Sequence, residues 1–95
     1  MDFEFTGIVW FWKGHSPYFF VTVPEQQSHD LKTISELVTY GWGMIPVHVR
    51  IGDSAWKTSL FPKDGLYILP LKDMIRKAEN LAEGDTITVS LEVHL

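Results

Sequence analysis

The sequence predicts a mainly β domain, a small barrel of about six strands with two short α-helices. Period-two alternation of apolar and polar residues dominates, both helical stripes are short, and the strands are too apolar for an open sheet with one wet face. Such a sheet must curl, close on itself or pair with a second copy to hide its apolar sides.

Asp2 to Lys13 reads as the first strand, with Phe3, Phe5, Val9 and Phe11 on one face and Ile8, Trp10 and Trp12 on the other. Both faces are therefore expected to be largely buried. Gly14-His15-Ser16-Pro17 is a turn, and Tyr18 to Val23, rich in β-branched and aromatic side chains, completes a hairpin that Pro24 ends. The period then becomes helical. Leu31, Ile34, Leu37 and Val38 share a stripe over Ser28 to Tyr40, with Ser28 as the expected N-cap and Gly41 as the stop. After Gly41-Trp42-Gly43, Ile45, Val47, Val49 and Ile51 alternate with Pro46, His48 and Arg50. Pro46 has no amide donor, so it marks an edge, a strand start or a bulge.

Gly52-Asp53 is the tightest turn signal and leads into a strand over Ala55 to Phe61, making a second hairpin. Pro62-Lys63-Asp64-Gly65 is expected as a turn and Leu66 to Leu69 as a short strand. Pro70 is read as the opening of a helix that carries Leu71, Met74, Ile75 and Ala78 at helical spacing. Glu83-Gly84-Asp85 turns the chain into Thr86 to His94, where Ile87, Val89, Leu91 and Val93 alternate with Thr88, Ser90, Glu92 and His94. No internal repeat, linker or low-complexity stretch is expected.

Ninety-five residues suit one domain, 1–95, and 45% hydrophobic with 21% charged residues is the composition of a globular chain. Aromatic residues make up 14%, and their large buried areas help a small chain offset its ordering entropy. With no cysteine, disulfides, thiolate metal sites and cysteine nucleophiles are excluded. The net charge of −4 has the wrong sign for a protein devoted to phosphate neutralisation, which argues against nucleic acid as a partner. The start Met-Asp-Phe-Glu has no secretory pattern and no apolar run approaches spanning length, so the expected location is the cytoplasm, away from membranes.

The order Tyr67-Ile68-Leu69-Pro70, short basic helix, Gly84-Asp85 and final strand resembles the core of AbrB/MazE-type double-split β-barrels. A longer match runs through Trp56-Lys57-Thr58-Ser59-Leu60-Phe61-Pro62, Gly65 to Lys72, Ile75-Arg76-Lys77-Ala78 and Gly84-Asp85. With the aromatic first strand and Phe20-Val21-Thr22-Val23-Pro24, it resembles the bacterial domain of unknown function nineteen-oh-five. That resemblance implies a double-split barrel and no established activity.

Catalytic chemistry has little support. His15, His29, His48 and His94 lack metal-ligand spacing, so no metal and no cofactor are expected. Asp53, Asp64 and Asp85 each adjoin Gly, where Asp serves turns by bonding local amides. No serine has a nucleophile-elbow setting and no phosphate loop occurs. One charge asymmetry stands out. From Arg50 to Lys77 six basic residues face three acidic ones, net +3 against −7 elsewhere. Arg50, Lys57, Lys72 and Arg76, with Trp42 or Trp56 as an apolar wall, form a candidate site for a small anionic ligand or a partner's carboxylate. The same cations also read as a solvated surface, and Trp42 between glycines as a core plug.

The reading that leads is a non-catalytic binding module for a partner protein or small anion, with a homodimer as the expected assembly. Two alternatives stand beside it. One is a DNA-binding regulator using Arg50, Lys57, Lys72, Arg76 and Lys77; the other is a small hydrolase or isomerase using His48 with Asp53 or Asp85.

Overall fold

The computed structural model describes residues 1–38 and 43–93, through the backbone alone over 36–38. Its elements are β1 (Asp2–Trp12), β2 (Tyr18–Val23), α1 (Glu25–Val38), β3 (Ile45–Ile51), β4 (Ser54–Lys63), β5 (Leu66–Leu71), α2 (Asp73–Ala78) and β6 (Thr86–Val93). The strands close, all antiparallel, in the order β1-β2-β5-β4-β3-β6. This is the expected six-stranded barrel with two short helices, and one chain suffices to close it.

Closure depends on two long strands that change partner midway. β1 pairs with β6 over Asp2–Ile8 and with β2 over Val9–Trp12. β4 pairs with β3 over Ser54–Leu60 and with β5 over Phe61–Lys63. Where β1 changes over, Val9 N donates to Asp85 O at 2.9 Å and Val9 O accepts from Gly84 N at 2.8 Å, so the turn before β6 satisfies the strand there. The inward row of each strand fills the barrel with Val9, Val21, Val47, Leu60, Leu69 and Val89, all buried, and α1 adds Leu31.

The partner changes reveal a ββαβ unit used twice. Tyr18 and Leu66, Val23 and Leu71, and Glu25 and Asp73 are each 48 residues apart. Exchanging the halves maps the β2–β5 ladder onto itself: Phe19↔Leu71 becomes Tyr67↔Val23, and Val21↔Leu69 is the centre. Side chains follow the same relation. Ser28 of α1 bonds the Tyr67 amide, and Arg76 of α2, 48 residues later, lies over the Phe19 ring. The expectation of no repeat holds for the residues' identities and fails for their topology.

Three boundaries differ from the sequence reading. α1 starts at Glu25, three residues early, because the Pro24 carbonyl accepts the first helical bond, from Ser28 N at 2.8 Å. Ser28 is therefore inside the first turn and is no N-cap. Pro62 and Lys63 extend β4, leaving Asp64 (φ 52°) and Gly65 (φ 81°) as a two-residue turn of the type I′ kind. Pro70 belongs to β5, opposite Phe20, and not to the helix. It is tolerated because the Lys63–Leu66 pair turns the backbone polar groups of Leu66, Ile68 and Pro70 towards β4, and pairing with β4 ends at Ile68. Pro46 obeys the same rule, as the second residue of β3, before pairing with β6 begins at Val47.

Gly52 (φ 57°) opens the β3–β4 turn, and Gly84 (φ 93°) presents its amide to Val9. Gly52→Val and Gly84→Val are each expected to destabilise by about 1 kcal/mol or more, because a β-branched residue is strained at positive φ. Denaturant midpoints equal to the parent's for both variants would contradict this.

Candidate functional site

Arg50 and Lys57 both point outward from the β3–β4 hairpin. Arg50 faces Ala55 and Lys57 faces His48, so the two cations are diagonal neighbours on one surface. Carboxylates share that surface. Across β1, β6, β3 and β4 run two rows, Asp2-Glu92-His48-Lys57 and Glu4-Ser90-Arg50-Ala55. His48 Nδ1 lies 4.0 Å from Glu92 Oε1, and Ser90 Oγ donates to Glu4 Oε2 at 3.2 Å. A shallow groove of about 520 Å³ crosses these rows, with Asp2, Glu4 and Glu92 set against Arg50 and His48. Three carboxylates around one guanidinium make a poor attractor for an anion.

Lys72 and Arg76 sit elsewhere, at and in α2. Arg76 Nη2 donates to Asp73 Oδ1 at 3.0 Å, and its Cζ lies 3.8 Å from the Phe19 ring centroid, a cation–π contact. The Arg76 Nε–H is buried without an acceptor among the described residues. An acid, not a cation, ties α2 to the β3–β4 hairpin: Glu79 Oε2 accepts from Ser54 Oγ at 2.7 Å, and the carboxylate packs against Gly52. Trp56 faces Val49 and packs against the core, its indole N–H buried without an acceptor among the described residues. Trp42, like His94 and the Gly41 helix stop, lies outside the described residues. The structure thus groups Arg50 with Lys57 and Lys72 with Arg76, on separate elements.

The carboxylate beside His48 is Glu92, whereas Asp85 Oδ2 accepts the Ala82 amide at 2.8 Å, a turn role. Among the described residues no cluster of three or more His, Cys, Asp or Glu is placed to hold a metal ion.

The opposite side of the barrel has another chemistry. β1 contributes Ile8, Trp10 and Trp12 to its outer surface, β2 contributes Tyr18 and Phe20, and Ile68, Pro70 and Phe61 come from β5 and β4. The ladders set Trp10 beside Phe20, Trp12 beside Tyr18, Phe20 beside Pro70, and Ile68 beside Phe61. Trp10 and Phe20 ring centroids are 5.2 Å apart, and Tyr18 meets Phe20 edge-on at 5.7 Å. The Trp10 indole N–H is satisfied within the face by Thr22 Oγ1 at 2.9 Å.

Phe20 and Ile68 are buried although they point away from the barrel interior and lie outside its central cluster. Around them Ile8, Trp12 and Phe61 are 59%, 42% and 38% exposed. A recess of about 270 Å³ lies here, floored by Phe20 and Ile68 and walled by Trp12, Pro62 and Lys63. Lys63 Nζ is 3.6 Å from Asp64 Oδ2, so the rim cation has its own counter-ion. α2 borders the face. Burial, then the charge of Asp73, raises the Tyr18 pKa against the opposing pull of Arg76, and the phenol stays protonated. The expectation that both faces of β1 are buried is corrected: the outer row is aromatic and only half covered. Its signal is the Ile8-Trp10-Trp12 row, but alternation alone cannot separate a covered apolar row from a bare one.

These features define a single-chain six-stranded barrel with one charged outer face and one aromatic outer face. Residues 5–91, from within β1 to within β6, match the family described as Domain of unknown function (DUF1905), and the chain belongs to that family. No curated protein matches it. No helix among the described residues is long and apolar enough to cross a membrane.

Proposed function

We propose that this domain is a non-catalytic binding module whose working surface is the aromatic outer face of β1, β2, β5 and β4, and whose ligand is a protein surface. The observation that carries the reading is the exposure of Ile8, Trp12 and Phe61 around a floor that Phe20 and Ile68 have already made apolar. Contiguous apolar surface in water is unfavourable at roughly 25 cal/mol per Å², and soluble chains retain such patches mainly where something covers them. Aromatic anchors near the centre of a face dominate protein recognition because they bury large areas with few rotatable bonds. A small anion finds less here, since Arg76 is engaged by Asp73 and Phe19, and Arg50 lies among carboxylates.

A photo-crosslinking benzophenone side chain placed at Phe61, and separately at Lys57 on the charged face, tests this in cells expressing the domain. A discrete adduct from position 61 and none from 57 is expected. No adduct from 61, or the same adducts from both, would count against the aromatic face.

A further inference from the structure

We infer that the protein surface covering the aromatic face is a second copy of this chain, docked face to face about a two-fold axis. The inference rests on the reading just given and names its partner. The centre of the face carries no charged side chain, and its charges sit at the rim, Lys63 beside Asp64 and Asp73 beside Arg76, with the two signs balanced. A charged partner would leave its own ions desolvated and unpaired against Trp12 and Phe61. An equally apolar, ring-studded surface confines that penalty to the Lys63–Asp64 pair at the rim, and this chain carries one.

A two-fold contact also needs a knob and a hole on the same surface, because each copy must give what it receives. Both are present and adjacent. Phe61 projects next to Ile68, which floors the recess of about 270 Å³ together with Phe20. Phe61 of one copy can enter the recess of its mate while the mate's Phe61 enters the first, with Trp12 closing over the ring from the far wall. The charged face offers no comparable fit, since His48–Glu92 and Ser90–Glu4 already match its rows within one chain.

Area fixes the size class of the contact. β2 and β5 cross this face over six residues each, β1 over Val9–Trp12 and β4 over Phe61–Lys63, so at about 4.8 Å between strands and about 3.3 Å per residue it spans roughly 300 Å² in projection before the relief of the rings is added. Standard interfaces bury about 800 Å² per partner, so this one falls below them, among weak and transient contacts, and forms a reversible dimer.

Sedimentation velocity of the purified domain from ~1 μM to ~1 mM reads this directly. Wild type is expected to pass from monomer to dimer across that range, Phe61→Glu and Trp12→Glu to dimerise at least tenfold more weakly, and Lys57→Glu to follow wild type. Both aromatic positions are exposed, so folding is retained; Phe61→Ser supplies a variant without added charge. A wild type that stays monomeric at the highest concentration overturns the inference, as does a Phe61→Ser protein that dimerises like wild type. If the monomer nevertheless gives a discrete adduct from position 61 with a mass other than that of two chains, the second copy is refuted while the aromatic binding face stands.

Discussion

Gly7→Val is expected to destabilise the domain by about 2–3 kcal/mol, lowering the melting temperature by roughly 10 °C or more for a chain this size. Gly7 lies where β1 gives up β6 and takes up β2. A Cβ there would stand 2.6 Å from Val21 Cγ1 and 3.4 Å from the Thr22 carbonyl oxygen. Neither neighbour can yield cheaply. Val21 is fully buried at the centre of the β2–β5 ladder, opposite Leu69, and Thr22 O is backbone. Relief would have to come from spreading β1 from β2, which opens the barrel at its changeover point. Gly7→Ala places the same Cβ without the branched methyls and is expected to lie between parent and Val. Equal melting temperatures for parent and Gly7→Val would contradict the close approach.

Ser28→Ala is expected to cost about 2 kcal/mol or more, although Ala is the better helix former. Ser28 Oγ donates to Val23 O at 2.9 Å and accepts from Tyr67 N at 3.1 Å, so one hydroxyl bridges the last pair of the β2–β5 ladder. The side chain is buried, at 1% exposure, and truncation strands a carbonyl and an amide where solvent does not reach. A denaturant midpoint equal to the parent's would show that the bridge contributes nothing.

Ser28 also shows where sequence reading runs out. A Ser ahead of an apolar stripe has the local pattern of an N-cap, yet its hydroxyl serves a strand pair 39 residues away, a contact that local spacing cannot reveal. Pro70 fails in the same way: helix opening is the locally sensible role, and only the end of β4 pairing at Ile68 makes a proline acceptable within β5. What the alternation did carry was the inward row of the strands, with Val47, Val49, Val89 and Leu91 all buried as their spacing predicts, and hence the barrel itself. The candidate site was less legible. Charge counting from Arg50 to Lys77 groups cations that the fold distributes over a hairpin and a helix, and misses Asp2, Glu4 and Glu92, which the closing of β1 on β6 and β6 on β3 brings beside Arg50. The aromatic face assembles from β1, β2, β4 and β5, so no single stretch of sequence displays it.

What decides the role of the aromatic face is whether it is covered when the protein is at work. Hydroxyl-radical footprinting compares its oxidation in concentrated cell extract with that of the purified domain at high dilution. Met74, 77% exposed on α2, serves as the internal reference that should react alike in both. Ile8, Trp12 and Phe61 are expected to be protected in the extract and to lose that protection on dilution; oxidation of all three at the same rate in both conditions would mean that nothing covers the face.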